Sequence, residues 1–304
     1  MGDGPAVQVP PPRSRAYYLS KHVAHRLQAA LAWRAAGGYA GWRTGARIAA
    51  YHRVTVARDE LAVAPARFRR QMESLVASGA RPVSLADAAA ALAGGSRERL
   101  ACVTFDDAYH DNLENALPVL LELGIPATIF VATGITDGTT RLYWYGRHEE
   151  PQLLSWDEVA TIADNPLFTI GAHSRTHPAL PALDEETAWE EIAGSKAILE
   201  RRLGRPVMLF AYPAGLYGER ETRMVREAGY AAAVTTEPGL NTPDRPRECL
   251  YRMLMDRLDT VRMFEAKLAG CLDRPWGADN LPFRRERTAP PGRRLRSEAR
   301  RGWR

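Results

Sequence analysis

Two adjacent carboxylates, two histidines at a four-residue interval and a proline–glycine turn are the parts of this 304-residue sequence that can do chemistry together. The carboxylates, Asp106 and Asp107, directly follow the apolar run LACVTF. Neighbouring side chains at a strand end point in different directions, so one can bind a cation while the other faces a substrate or a water. The residues alone leave open which does which, and a cap for the following helix is the lesser alternative for the pair. The histidines stand in Ala172-His173-Ser174-Arg175-Thr176-His177, again after a short apolar run, FTIG. Their spacing predicts both imidazoles on one side of a helical turn, as ligands of one metal must be. One carboxylate and two imidazoles form a three-ligand set that leaves positions open for water and substrate. Such a set suits a divalent metal, zinc first, with cobalt or nickel as alternatives. The turn, Tyr212-Pro213-Ala214-Gly215, follows VMLF. Backbone N–H groups of such a turn can converge on one point, as a developing oxyanion requires.

The elements that must position these residues alternate in type. Ile48–Tyr51, Leu100–Phe105, Ala127–Val131, Phe168–Gly171, Val207–Phe210 and Ala231–Val234 read as strands, and most are continuous apolar runs, as buried parallel strands are. Helices are expected over Pro65–Ser78, the LADAAAAL stretch capped by Ser84, Asp111–Leu123, Ser155–Ala163, Glu185–Leu203, Glu219–Ala228 and Val261–Leu272. Strands alternating with helices imply βαβ units and a parallel sheet, and six or more such strands fit an α/β fold of the β/α-barrel type. In barrels, functional residues sit where strands end, which is where all three motifs fall.

Composition sets limits on the rest. Hydrophobic residues make up 45% and charged residues 25%, ordinary for a globular chain with a full core. The net charge of +5 is concentrated at one end. Residues 284–304 hold nine arginines against Glu286 and Glu298, a local +7, which leaves −2 for residues 1–283. No nucleic-acid partner is therefore expected, and the tail reads as a solvated end. Cys102, Cys249 and Cys271 are far apart and suggest neither a disulfide framework nor a thiolate metal site. No run approaches a membrane span, and MGDGPAVQVPPPRSR lacks the order of a signal peptide. The expectation is a cytoplasmic protein, peripheral at a membrane if its substrate is lipid-linked; oligomeric state is left open. Residues 1–45 read as an N-terminal leader and helix, 46–275 as a catalytic domain and 276–304 as a basic, disordered tail.

TFDDAYHDN, GAHSRTH and FAYPAG, in that order, resemble the first three motifs of the NodB-type polysaccharide deacetylases. AYHRV, GIPATIFV, LSWDEV and EAGYAAAVT agree, and the resemblance spans about residues 47–255. It implies a distorted β/α barrel of the NodB deacetylase type and a metal-dependent hydrolase that removes an N-acetyl group from an amino-sugar glycan or glycoconjugate. An O-acetyl group, or another small-molecule C–N bond on the same metal site, is the alternative. A non-catalytic carbohydrate-binding or scaffold barrel would predict loss of the motif residues, and all are present. Carried over residue by residue, the resemblance makes Asp106 the general base and Asp107, His173 and His177 the metal ligands. The oxyanion and substrate set becomes Tyr212, Pro213, Ala214, Gly215 and Arg252, with the Ala214 N–H as donor.

Three positions depart from the common family pattern. No histidine follows His177, so the usual catalytic acid near the C-terminus is absent. His52, in Tyr51-His52-Arg53-Val54, is its substitute, as in the branch in which the motif order is circularly permuted. Ala108 stands where a Gly is usual, and Ala211 where an Arg orients the base; Arg252 is expected to supply that charge. Arg175 is expected to face solvent. Tyr143, Trp144 and Tyr145 form a loop cluster that either stacks on sugar rings or packs locally. His110 and His148 receive no role.

Overall fold

A computed structural model describes residues 31, 33–35, 37–142 and 151–273. The leader, most of the 17–36 segment, Tyr143, Trp144, Tyr145, His148 and the basic tail lie outside the described residues. In chain order the elements are β1 (Gly45–Tyr51), β2 (Arg53–Val54), β3 (Ala62–Val63), α1 (Pro65–Ala77), β4 (Arg81–Pro82), α2 (Leu85–Ala93) and β5 (Arg99–Phe105). Then follow α3 (His110–Asn115), α4 (Leu117–Leu123), β6 (Ala127–Val131), α5 (Thr133–Thr136), α6 (Trp156–Ala163), β7 (Phe168–Ala172), α7 (Glu185–Leu203) and β8 (Leu209–Ala211). Last come α8 (Glu219–Glu227), β9 (Ala232–Val234), β10 (Met253–Leu254) and α9 (Val261–Leu268).

Local chemistry sets several helix ends. Ser84 accepts from the Asp87 N–H at 3.0 Å at the start of α2, and Asp184 from the Thr187 N–H at 2.8 Å at the start of α7. Ser155 and Glu158 form a reciprocal capping box on α6. The expected helix Asp111–Leu123 is instead two helices broken at Ala116. Pro118 has no N–H to continue the first and is tolerated only at the start of the second.

Eight strands form one parallel sheet in the order β10-β1-β5-β6-β7-β8-β9, with β4 against the lower end of β5, while β2 and β3 pair with each other in a separate parallel ribbon. The segment from Leu250 to Leu254 carries the curl further round. Leu250 bridges Val234 on one side, while Met253 and Leu254 pair with Ala49 and Ala50 on the other. The result is the distorted β/α barrel.

Side chains alternate across each strand, so the barrel has two cores. Ala46, Ile48, Leu100, Cys102, Phe130, Leu209, Ala211, Ala232, Val234 and Leu250 fill the interior, with α2 packed against them. Ala49, Tyr51, Val103, Phe105, Ile129, Ile170, Phe210 and Ala233 face the surrounding helices instead. Continuing the alternation one step past β1, β5 and β7 puts His52, Asp106 and His173 on the interior side, and Arg252, two residues after interior Leu250 and just ahead of β10, falls there too. No helix of the described residues is long and apolar enough to cross a membrane. Cys102, Cys249 and Cys271 are free thiols, the first two buried.

Candidate active site

Asp106 lies at the upper end of the barrel interior, only 2% exposed. A carboxylate this buried must be paired, and its partner is Arg252. The guanidinium meets both carboxylate oxygens, Nη1 to Oδ1 and Nη2 to Oδ2, each at 2.7 Å. Arg252 is itself wholly buried, donates from Nε to the Thr235 carbonyl at 2.8 Å and from Nη1 to Thr104 Oγ1 at 3.2 Å. Burial alone would raise the Asp106 pKa; the Arg252 charge and its hydrogen bonds outweigh it and hold the carboxyl well below the usual range. The result is an ionised carboxylate fixed in orientation by Arg252, the arginine expected to supply that charge.

Asp107 is turned away from its neighbour by the backbone. It takes a left-handed φ of 66° and Ala108 one of 53°, so the change at position 108 places a Cβ in a conformation that glycine adopts more readily. The Asp107 carboxyl is buried, and a hydrogen bond from the Tyr109 side chain holds it. Its Oδ1 has no hydrogen-bond partner, and lies 3.6 Å from His173 Nε2 and 3.8 Å from His177 Nε2. Those separations are too long for hydrogen bonds and suit three donors arranged about one ion, each about 2.0–2.2 Å from it. The three ligand atoms all lie within 4.8 Å of one another. Burial and then the Asp106 charge push the Asp107 carboxyl well above the usual range, as expected where a cation's charge belongs.

The histidines are fixed differently from each other. His173 Nδ1 meets the Ala211 carbonyl at 2.8 Å; a carbonyl only accepts, so Nδ1 carries the proton and Nε2 presents its lone pair toward Asp107. His177 is brought in by a loop. The expected helical turn is not there: residues 173–179 are irregular, and Ser174 and His177 adopt φ of 62° and 58°. The two rings end 4.7 Å apart, centroid to centroid. Burial lowers both pKa values, that of His177 to about 3, so both imidazoles are neutral, as ligands must be.

His52 follows β1 as Asp106 follows β5. Tyr51 pairs with Phe105 and its carbonyl accepts from the Asp106 N–H at 2.9 Å, so the two residues are neighbours across strands. Burial lowers the His52 pKa to about 4, against an upward pull from Asp106, and its Nδ1 is buried with no hydrogen-bond partner. Asn112 donates to the His52 carbonyl at 2.9 Å, while Asp111 accepts from Arg53 Nε at 2.8 Å and the Val54 N–H at 3.0 Å. The end of TFDDAYHDN thus grips the Tyr51-His52-Arg53-Val54 segment, a link that adjacent motif letters do not disclose.

In the Tyr212–Gly215 turn the Tyr212 N–H goes to the Val234 carbonyl at 3.1 Å and the Gly215 N–H to the Tyr212 carbonyl at 2.8 Å. Pro213 has none, which leaves the N–H of Ala214, exposed and at φ 52°. The Tyr212 ring is buried among the outer helices and donates to the Glu248 carbonyl at 2.7 Å, so this residue brings only backbone to the turn. Gly215 is required where it is: an added Cβ would sit 2.6 Å from the Thr236 nitrogen. Arg175 is half exposed beside Glu190 at 3.4 Å, and His110 pairs with Glu158 of α6 at 3.0 Å. Tyr109 and Glu191 hold site residues in place and were not singled out by sequence. The first is an aromatic inside a motif, the second an acidic residue on the inner face of α7.

The polysaccharide deacetylase family model matches residues 93–233. The Bacillus subtilis protein YxkH, named as a polysaccharide deacetylase, is 28% identical over 205 residues, 67% of this chain and 68% of its own. Among solved structures, the Streptococcus pyogenes deacetylase PplD in complex with acetate superimposes with a TM-score of 0.65. It is 21% identical, and the match covers 74% of this chain and 99% of that one; at that identity the likeness is one of fold. A polysaccharide deacetylase from Bacillus cereus gives 0.61 at 26% identity, over 74% of this chain and 69% of that one.

Proposed function

We propose, from the premise that this chain is one of the NodB-type polysaccharide deacetylases its core matches, that it removes N-acetyl groups from an amino-sugar glycan or glycoconjugate in a metal-dependent reaction. The observation that carries this reading is the convergence of two carboxylates in opposite electrostatic states. Asp106 is clamped ionised by Arg252, while Asp107 offers an unsatisfied oxygen toward two neutral imidazoles. Asp107, His173 and His177 would hold the metal, which when bound polarises the acetyl carbonyl and acidifies water.

The chain's own residues do the rest. Asp106 takes the proton of the attacking water, its orientation fixed by the two bonds from Arg252. The Ala214 N–H donates to the carbonyl oxygen as that oxygen becomes negative, which contributes only in the transition state. His52, neutral at rest, takes up a proton from solvent in the course of the reaction and passes it to the departing amine nitrogen, returning to the neutral imidazole. Negative charge building beside it raises its affinity for the proton it must carry. Its place on the first strand, beside the Asp pair, supports the circularly permuted arrangement of the acid. Zinc is the metal proposed, and a substrate that is lipid-linked or otherwise presented at a membrane surface fits the same chemistry.

Acetate release from acetylated amino sugars, chito-oligosaccharides and nucleotide- or lipid-linked GlcNAc tests the proposal. Chelated enzyme should release none, and zinc should restore release from at least one amide-linked member of the panel. Acetate from O-acetyl sugars alone, or equal turnover with and without chelator, would overturn it.

A further inference from the structure

The loop that delivers His177 is strained, and one of its restraints is a single side chain from α7. Ser174 and His177 both hold left-handed φ angles, which a residue with a Cβ adopts only at a cost. Such a conformation persists only where its surroundings enforce it. The Glu191 carboxylate, reaching up from α7 and 8% exposed, accepts from the Arg175 N–H and the Thr176 N–H, both at 2.8 Å on Oε2. Its other oxygen accepts from Thr176 Oγ1 at 2.7 Å. On the opposite side the Thr133 and Gly134 N–H groups donate to the Ser174 and Arg175 carbonyls at 3.2 and 2.7 Å. An added Cβ at Gly134 would lie 2.9 Å from the Arg175 carbonyl oxygen, so the backbones must touch there. Ser174 Oγ then accepts from the His177 N–H at 3.0 Å and completes the turn.

The geometry points to Glu191 as the positioning residue for the metal site: it holds the 174–177 loop so that His177 meets Asp107 and His173. Glu191 touches no ligand atom in the described contacts and acts through backbone. What it supplies is reach, two acceptor oxygens at the right distance. The negative charge is incidental to this role. A helix-borne carboxylate therefore sets metal affinity from outside the ligand set, as outer residues of metal sites do. This inference rests on the assignment of Asp107, His173 and His177 as ligands.

Reach and charge separate in two conservative variants. Glu191→Gln keeps the length: its amide oxygen can accept from both N–H groups, and its NH2 can donate to Thr176 Oγ1. Glu191→Asp keeps the charge and is one methylene too short. Zinc dissociation constants, measured by competition with a chelating dye on the full chain, should rise about tenfold or more for Glu191→Asp and stay within about threefold of wild type for Glu191→Gln. Ser195→Ala, on the same helix and away from the loop, should lower the melting temperature and leave the zinc constant unchanged; that separates positioning from general destabilisation of α7. Wild-type affinity in Glu191→Asp would overturn the inference, and so would a loss in Glu191→Gln as large as that in Glu191→Asp. A wild-type chain that takes up no zinc would defeat the ligand assignment itself, whatever the Glu191 variants do.

Discussion

The two halves of the site are built in different ways. Asp106 and His52 occupy the next interior positions of the regular, paired strands β5 and β1, and Arg252, just ahead of β10, meets Asp106 across the barrel interior. Asp107, Ser174, His177 and Ala214, by contrast, stand in left-handed backbone, and with Ala108 they are all the positive-φ residues other than glycine among the described residues. On the proposed assignment, strand periodicity places the proton-handling residues and His173, while Asp107, His177 and the Ala214 N–H depend on strained turns. A strand position is rigid at no cost, whereas a strained turn needs restraints and is where the molecule spends stability on function.

Removing the charge partner on the regular half should have the largest effect. Arg252→Met leaves Asp106 buried without its counter-ion, and denaturant unfolding should show a loss of about 3–5 kcal/mol. A loss under 1 kcal/mol would mean that Asp106 is solvated or already neutral. Next comes His52→Ala. The rate of acetate release should fall by about a hundredfold or more, with zinc content per chain unchanged. Parallel loss of zinc would place His52 in the other half of the site. The smallest change bears on the strained half. Ala108→Gly relieves about 1–2 kcal/mol of backbone strain and adds about 0.5–1 kcal/mol of unfolded-state entropy. Thermal unfolding should therefore show a net gain on the order of 0.5 kcal/mol, and a clear loss would mean that the left-handed backbone at 108 is not costly.

The same division explains what could be read from sequence. The strand runs and their alternation were legible because both faces of each strand are covered and apolar, and the Asp pair and histidines follow those runs directly. Backbone conformation past the strand ends was not legible. The His-x3-His spacing suggested a helical turn, whereas two left-handed residues bring the rings together. Asp111–Leu123 reads as one helix until Pro118 is weighed, and it is two. Arg252 was found only through a missing family arginine, and its two bonds to Asp106 depend on a strand that joins both sides of the barrel. Glu191 carried no sequence signal beyond being an acidic residue at a helical position that faces inward, because its partners are two backbone N–H groups and a hydroxyl in an irregular loop before the helix.

The division of labour between adjacent carboxylates is the central claim, and one paired measurement tests it: zinc content and acetate release of Asp106→Asn and Asp107→Asn, purified side by side with wild type. Asp106→Asn should retain about one zinc per chain and release no acetate, while Asp107→Asn should lose the zinc and the activity together. Zinc lost from Asp106→Asn and kept in Asp107→Asn, or turnover surviving in either variant, would contradict the assignment.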